Sequence, residues 1–145
     1  MSSDRSQGSE QSTVTLLSLT HLMLSREVSE GVARAGHPIK ASHSAVFGQM
    51  GAEGSRLSGL AKGANMTPQA MGELVDELEG LGYVVRRPDP TDRRAKLITL
   101  TESGRQCLAA GIDTIGDIER RITEAVGARG HRELRTMLLT LLERN

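Results

Sequence analysis

Apolar residues recur at helical spacing along most of the chain, in stretches separated by short runs of glycine, proline and small polar residues. Over 14–35, Leu16, Leu19 and Met23, with Leu17, Leu24 and Val28 on the neighbouring row, mark the broad apolar face of a long helix. Gly36, His37 and Pro38 stop it, and Ser42 or Ser44 is placed to cap a shorter helix carrying Ala45, Val46, Phe47 and Met50. Gly48, Gly51 and Gly54 lack the spacing of a dinucleotide-binding loop and follow no strand, so they read as turn residues. Ser58 is then expected to cap a short helix that ends at Asn65 in the left-handed conformation. Thr67 and Pro68 follow as N-cap and first helical residue, a position where proline's missing N–H costs nothing. From there Met71, Leu74, Val75, Leu78 and Leu81 form one stripe expected to be buried. Two helices joined by so short a turn make a helix-turn-helix.

Gly80 and Gly82 end the second of these helices. Residues 83–87 and 96–100 are rich in β-branched residues and read as two paired strands. The connection between them, 88–95, holds Pro88, Pro90, Arg93 and Arg94, and is expected to be a long, stiff, projecting loop. Thr101 caps a further helical region through Cys107, Leu108, Ile112, Ile115, Ile118 and Ile122, broken near Gly127 and Gly130. A last helix carries Leu134, Met137, Leu138, Leu141 and Leu142. The first and last helices carry more apolar positions than a small winged domain covers, so a homodimer interface is expected there.

Composition narrows the reading. With 145 residues the chain is sized for one domain, and aromatics at 1% leave a core of aliphatic residues and methionine, which suits packed helices. One cysteine excludes an internal disulfide and a cysteine-rich zinc site. No apolar run reaches the length of a membrane span, so no membrane partner is expected. The Ser- and Gln-rich residues 1–12 have no signal-peptide core and read as a disordered cytoplasmic tail. Formal net charge is zero, an average that conceals residues 82–96: Arg86, Arg87, Arg93, Arg94 and Lys96 stand there against only Asp89 and Asp92. No GxSxG, HExxH or CxxC pattern is present; neither an enzyme nor a cofactor is expected.

The order helix, helix, helix-turn-helix, hairpin, long helices resembles the MarR family of bacterial transcriptional regulators. The specific residues are Arg56-Leu57-Ser58-Gly59-Leu60-Ala61 and, in the wing, Asp92, Arg94, Leu100, Thr101 and Gly104, which fall on the family's D-x-R and L-T-x-x-G motifs. The resemblance implies a mainly α (α+β) winged helix-turn-helix fold. Its expected divisions are a tail over 1–12, N-terminal helices over 13–55, the DNA-binding domain over 56–100 and dimerisation helices over 101–145. It further implies a homodimeric, cytoplasmic regulator, expected to be a repressor, on a pseudo-palindromic double-stranded DNA operator. Tuning by a small aromatic or phenolic effector is expected too, with His21, His43 and Phe47 as candidate pocket residues. The alternative is a winged-helix protein-interaction module with weak DNA binding.

Residue chemistry assigns the DNA contacts. Ser58, Thr67 and Pro68 stand at helix N-termini that favour phosphate; Gln69 suits adenine N6 and N7. Asp92 is expected to fix the wing while Arg94 enters the minor groove, and Arg87, Arg93 and Lys96 are expected on phosphates. One departure from the family concerns Gly72 and Glu73, where many relatives carry Ser or Thr followed by Arg or Lys. Glu73 either repels all DNA alike or accepts from a cytosine N4; Gly72 beside it favours the first. With Asp76, Glu77 and Glu79 following, the helix is expected to be broadly acidic, DNA affinity to lean on the wing and the first turn of the helix, and binding to be weaker or fussier than is usual in the family. Cys107 is expected to be a buried structural thiol, because it falls near the apolar Leu108 face with no evident basic cluster to lower its pKa; the family's peroxide sensors commonly carry their cysteine in the first helix instead.

Overall fold

The structure, a computed structural model, describes residues 11–144. Most of the expected tail therefore lies outside the described residues; Ser12, assigned to it, instead caps the first helix by accepting the Thr15 N–H at 3.1 Å. That helix, α1, runs Thr13–Arg34. A 3-10 turn at Ala41–His43 leads into α2, Ser44–Gln49; α3 spans Leu57–Gly63, α4 Pro68–Gly80, and the antiparallel strands β1 and β2 span Val84–Asp89 and Asp92–Leu100. The chain ends in α5, Glu102–Glu143.

Local chemistry sets most of these boundaries. Thr67 caps α4 by accepting the Ala70 N–H at 3.1 Å, Pro68 is its first residue, and Asn65 carries the left-handed φ of 53° between α3 and α4. Two expected caps are displaced. Ser58 lies inside α3, whose N-cap is Arg56, and Ser42 and Ser44 lie within the 3-10 turn and at the first residue of α2. The long loop of the wing is also corrected. Pairing runs from Val84 with Leu100 down to Pro88 with Lys96 and resumes, after an irregularity, at Asp89 with Asp92, so only Pro90 and Thr91 turn the hairpin. Pro88 is tolerated because β1 is an edge strand, whereas β2 pairs on its other side with Ser55 through two hydrogen bonds to Ile98.

The core gathers Val46 from α2, Leu60 from α3, Met71, Val75 and Leu78 from α4, Val84 and Ile98 from the strands, and Cys107 from α5. Leu81, expected in the buried stripe, is 56% exposed because α4 ends one residue before it. At Gly104 the start of α5 presses on the residue that precedes β1: a Cβ there would collide with the Tyr83 carbonyl oxygen. Within α5, Gly127 has φ 77° and ψ 160° and breaks the helix, while Gly130 stays helical. His131 then reaches back to Glu119 at 2.9 Å and Thr123 at 2.7 Å. Residues 119 and 131 would stand about 18 Å apart on a straight helix, so the two limbs fold toward each other.

Candidate nucleic-acid interface

Seen along α4, the buried positions Met71, Val75 and Leu78 leave Gln69, Glu73 and Asp76 on the opposite, exposed face. Thr67, Pro68 and Gln69 are all exposed at the helix start, where unsatisfied N–H groups and the helix dipole favour an anion. Ser58 is exposed in the first turn of α3.

The acids of α4 are not free. Arg86 on β1 reaches Asp76 at 2.7 Å and Glu79 at 2.9 Å, and its backbone N–H donates to Glu79 as well. Glu77 accepts from Lys40 at 3.1 Å and from His43 at 2.7 Å, and these two bonds, the His43 one foremost, hold its carboxyl below the usual range. Because His43 Nδ1 accepts the Lys40 N–H, its Nε2 carries the proton given to Glu77. The broadly acidic helix expected from sequence is thus neutralised from three directions, and Glu73 is the one acid of α4 without a partner among the described residues.

A buried carboxylate holds the wing. Asp89, 5% exposed, accepts the N–H and hydroxyl of Thr91, each at 2.8 Å, and the Arg56 guanidinium at 2.6 Å. The two Thr91 bonds, reinforced by Arg56, lower its pKa to about 2. Asp92, expected to fix the wing, does less: it accepts the Arg94 N–H at 3.0 Å and lies 3.9 Å from Arg56. Sequence reasoning counted Asp89 only as a charge; the Asp-Pro-Thr turn was the local signal for it, since an aspartate commonly accepts from the residue two further on. The basic excess is smaller than counted because Arg86 is engaged, but Arg87, Arg93, Arg94 and Lys96 are exposed and make no side-chain ion pair among the described residues.

The expected pocket residues separate. Phe47 lines an apolar cavity of about 120 Å³ together with Val28, Val32, Cys107, Leu108 and Ile112. His43 is 1% exposed and turned to α4, and His21 is exposed on α1; neither lines the cavity. Burial raises the Cys107 thiol to about 11. No helix among the described residues is long and apolar enough to cross a membrane.

A capped helix displayed over a second helix, with a hairpin clamped beside it and carrying free cations, defines a winged helix-turn-helix protein. Residues 37–95 match the sequence model described as MarR family. The chain belongs to that family, and its likeness to CouR from Rhodococcus jostii RHA1 runs most of its length: in the complex of that protein with p-coumaroyl-CoA the identity is 30% over 94% of this chain and 95% of the other, at a TM-score of 0.75. The transcriptional repressor CouR bound to a 23-mer DNA duplex superimposes with a TM-score of 0.76, at 24% identity over 97% and 99% of the two chains. A Mycobacterium tuberculosis MarR family protein in complex with salicylic acid gives 0.66, at 25% identity over 92% and 98%. No curated protein sequence gives a match.

Proposed function

We propose that this chain is a cytoplasmic, homodimeric, sequence-specific DNA-binding transcriptional repressor whose operator binding is tuned by a small aromatic or phenolic ligand. The observation that carries the reading is the Arg86 clamp. By pairing Asp76 and Glu79 it removes charge that would oppose phosphates and fixes the wing to the recognition helix, so that two DNA-reading elements move as one. Thr67, Pro68 and Ser58 then meet the backbone and Gln69 reaches an adenine edge. Arg94 enters the adjacent minor groove, where negative potential is greatest, and Arg87, Arg93 and Lys96 take phosphates. The same clamp counts against the protein-interaction alternative, which drew on an acidic recognition helix.

Dimerisation is supported by the apolar faces of α1 and of α5 beyond Gly127, which carry Leu16, Leu22, Met137 and Leu142 in the open. The effector reading is supported by the cavity beside Phe47, whose lining is almost wholly apolar, and by the ligands held by the relatives from Rhodococcus jostii and Mycobacterium tuberculosis.

The test is selection from DNA duplexes with a randomised centre, followed by gel shift. The reading expects an inverted repeat with half-sites about 10 bp apart, centre to centre. Enrichment of no motif overturns it.

A further inference from the structure

Glu73 is the acid of α4 that the fold leaves without a partner among the described residues. Every other acid of α4 has a cation or a histidine from another element set against it, and Arg86, at the root of the wing, has both ends of its guanidinium occupied by Asp76 and Glu79. Glu73 stands one turn beyond Gln69 on the exposed face, the two projecting about 40° apart, within the N-terminal half of the helix that reads bases in this class of fold. Gly72 precedes it. A Cβ at Gly72 would meet only a Leu57 methyl at 3.7 Å, so packing does not demand the glycine, and its effect is to bare the backbone next to Glu73 and let a groove edge come close.

We infer that Glu73 is a specificity-determining residue that requires cytosine on the base pair it faces, beside the adenine read by Gln69. This rests on the DNA-binding reading above. An ionised carboxylate only accepts hydrogen bonds. In the major groove the donors are cytosine N4 and adenine N6. The adenine donor adjoins the N7 acceptor, which repels the second carboxylate oxygen, whereas cytosine presents its donor with no acceptor on the same base. On any other base Glu73 is an unpaired anion close to phosphates. Discrimination therefore arises mostly from the penalty on wrong sites. The sequence alone favours uniform repulsion, because Gly72 suggests a close but unspecific approach of the helix to the groove; with the other three acids of α4 neutralised, the unpaired charge is confined to one position on the exposed face.

The experiment compares wild type, Glu73→Gln and Glu73→Ala by gel shift at one salt concentration. The probes are the duplex motif that wild type selects from a randomised library, its single-position variants and a scrambled duplex. The expected result is a cytosine in each half-site whose replacement by thymine weakens wild type roughly ten- to a hundred-fold. Glu73→Gln, which both donates and accepts, no longer favours the cytosine form over the thymine form, with preferences at all other positions kept. A Glu73→Gln protein that binds every duplex more tightly by one common factor overturns the inference, as does a motif in which no cytosine position responds to either substitution. A wild-type selection with no motif at all fails the DNA-binding reading instead, so the two failures are distinct.

Discussion

Between α2 and the end of β2 the apolar side chains close over one another: Val46, Leu60, Met71, Val75, Leu78 and Val84 are fully buried by residues of the same chain. The N-terminal half of α1 and the far limb of α5 are the opposite case, with Met137 58% and Leu142 73% exposed in helices that are otherwise regular. The first region is stabilised by its own contacts. The second has a continuous helical backbone but an apolar face that only another surface can remove from water. The contrast teaches that burial is divided in this chain: the winged helix-turn-helix covers its own apolar side chains, whereas the outer helices leave theirs for another surface.

Substitutions break or sharpen that contrast. The largest effect is expected in the self-contained region. Met71→Ala removes a fully buried side chain and costs about 2–5 kcal/mol in denaturant unfolding at every protein concentration. Met137→Ala leaves that midpoint unchanged at dilutions where protomers are separate and weakens self-association by sedimentation. A concentration-dependent Met71→Ala loss, or a Met137→Ala loss in the monomer, would erase the division.

Arg94→Ala comes next, weakening operator binding by about 1–3 kcal/mol in gel shifts while folding and self-association stay as in wild type. Its backbone N–H still donates to Asp92, so the wing keeps its shape.

Smaller and opposite in sign is Gly72→Ala. With only the Leu57 methyl in reach, it should stabilise α4 by about 0.8–1 kcal/mol, read as a raised melting midpoint. The same change at Gly104, where the Tyr83 carbonyl blocks a Cβ, is expected to destabilise.

The smallest effect concerns Cys107, which borders both regions. Its thiol is raised from 9.0 to about 11, so its contribution to stability is fully present below about pH 9 and is lost as pH rises toward 11. Folded protein is expected to resist thiol alkylation at neutral pH, and Cys107→Ser to leave DNA binding intact; rapid labelling of the native protein would contradict this.

What sequence made legible was what neighbours in the chain decide. The Thr67-Pro68 start of α4, Asn65 in its left-handed turn and the glycine end at Gly82 are local events, and hydrophobic period placed Met71, Val75 and Leu78 inside. Other features depend on residues far apart in the chain or on where the backbone turns. His43 seemed a cleft residue because Glu77 lies 34 positions away. Asp89 reads only as a charge because its ion-pair partner, Arg56, lies 33 positions before it, although its two bonds from Thr91 are local. The hairpin looked like a long loop because two prolines argue against pairing, whereas an edge strand tolerates Pro88. Ser58 satisfies the composition of a cap, yet the backbone turns into the helix two residues earlier, at Arg56.

The engagement of Arg86 also bears on how binding will respond to ions. Cations that neutralise phosphates release condensed counterions, and each steepens the fall of log affinity against log salt by about 0.9. With Arg87, Arg93 and Lys96 on phosphates, a dimer would show a slope of about −5 from these residues alone, although the formal charge of the chain is zero. Arg86, sharing its charge with Asp76 and Glu79, adds nothing to that slope. On these proposed contacts, the counterion release that accompanies association would come from the wing.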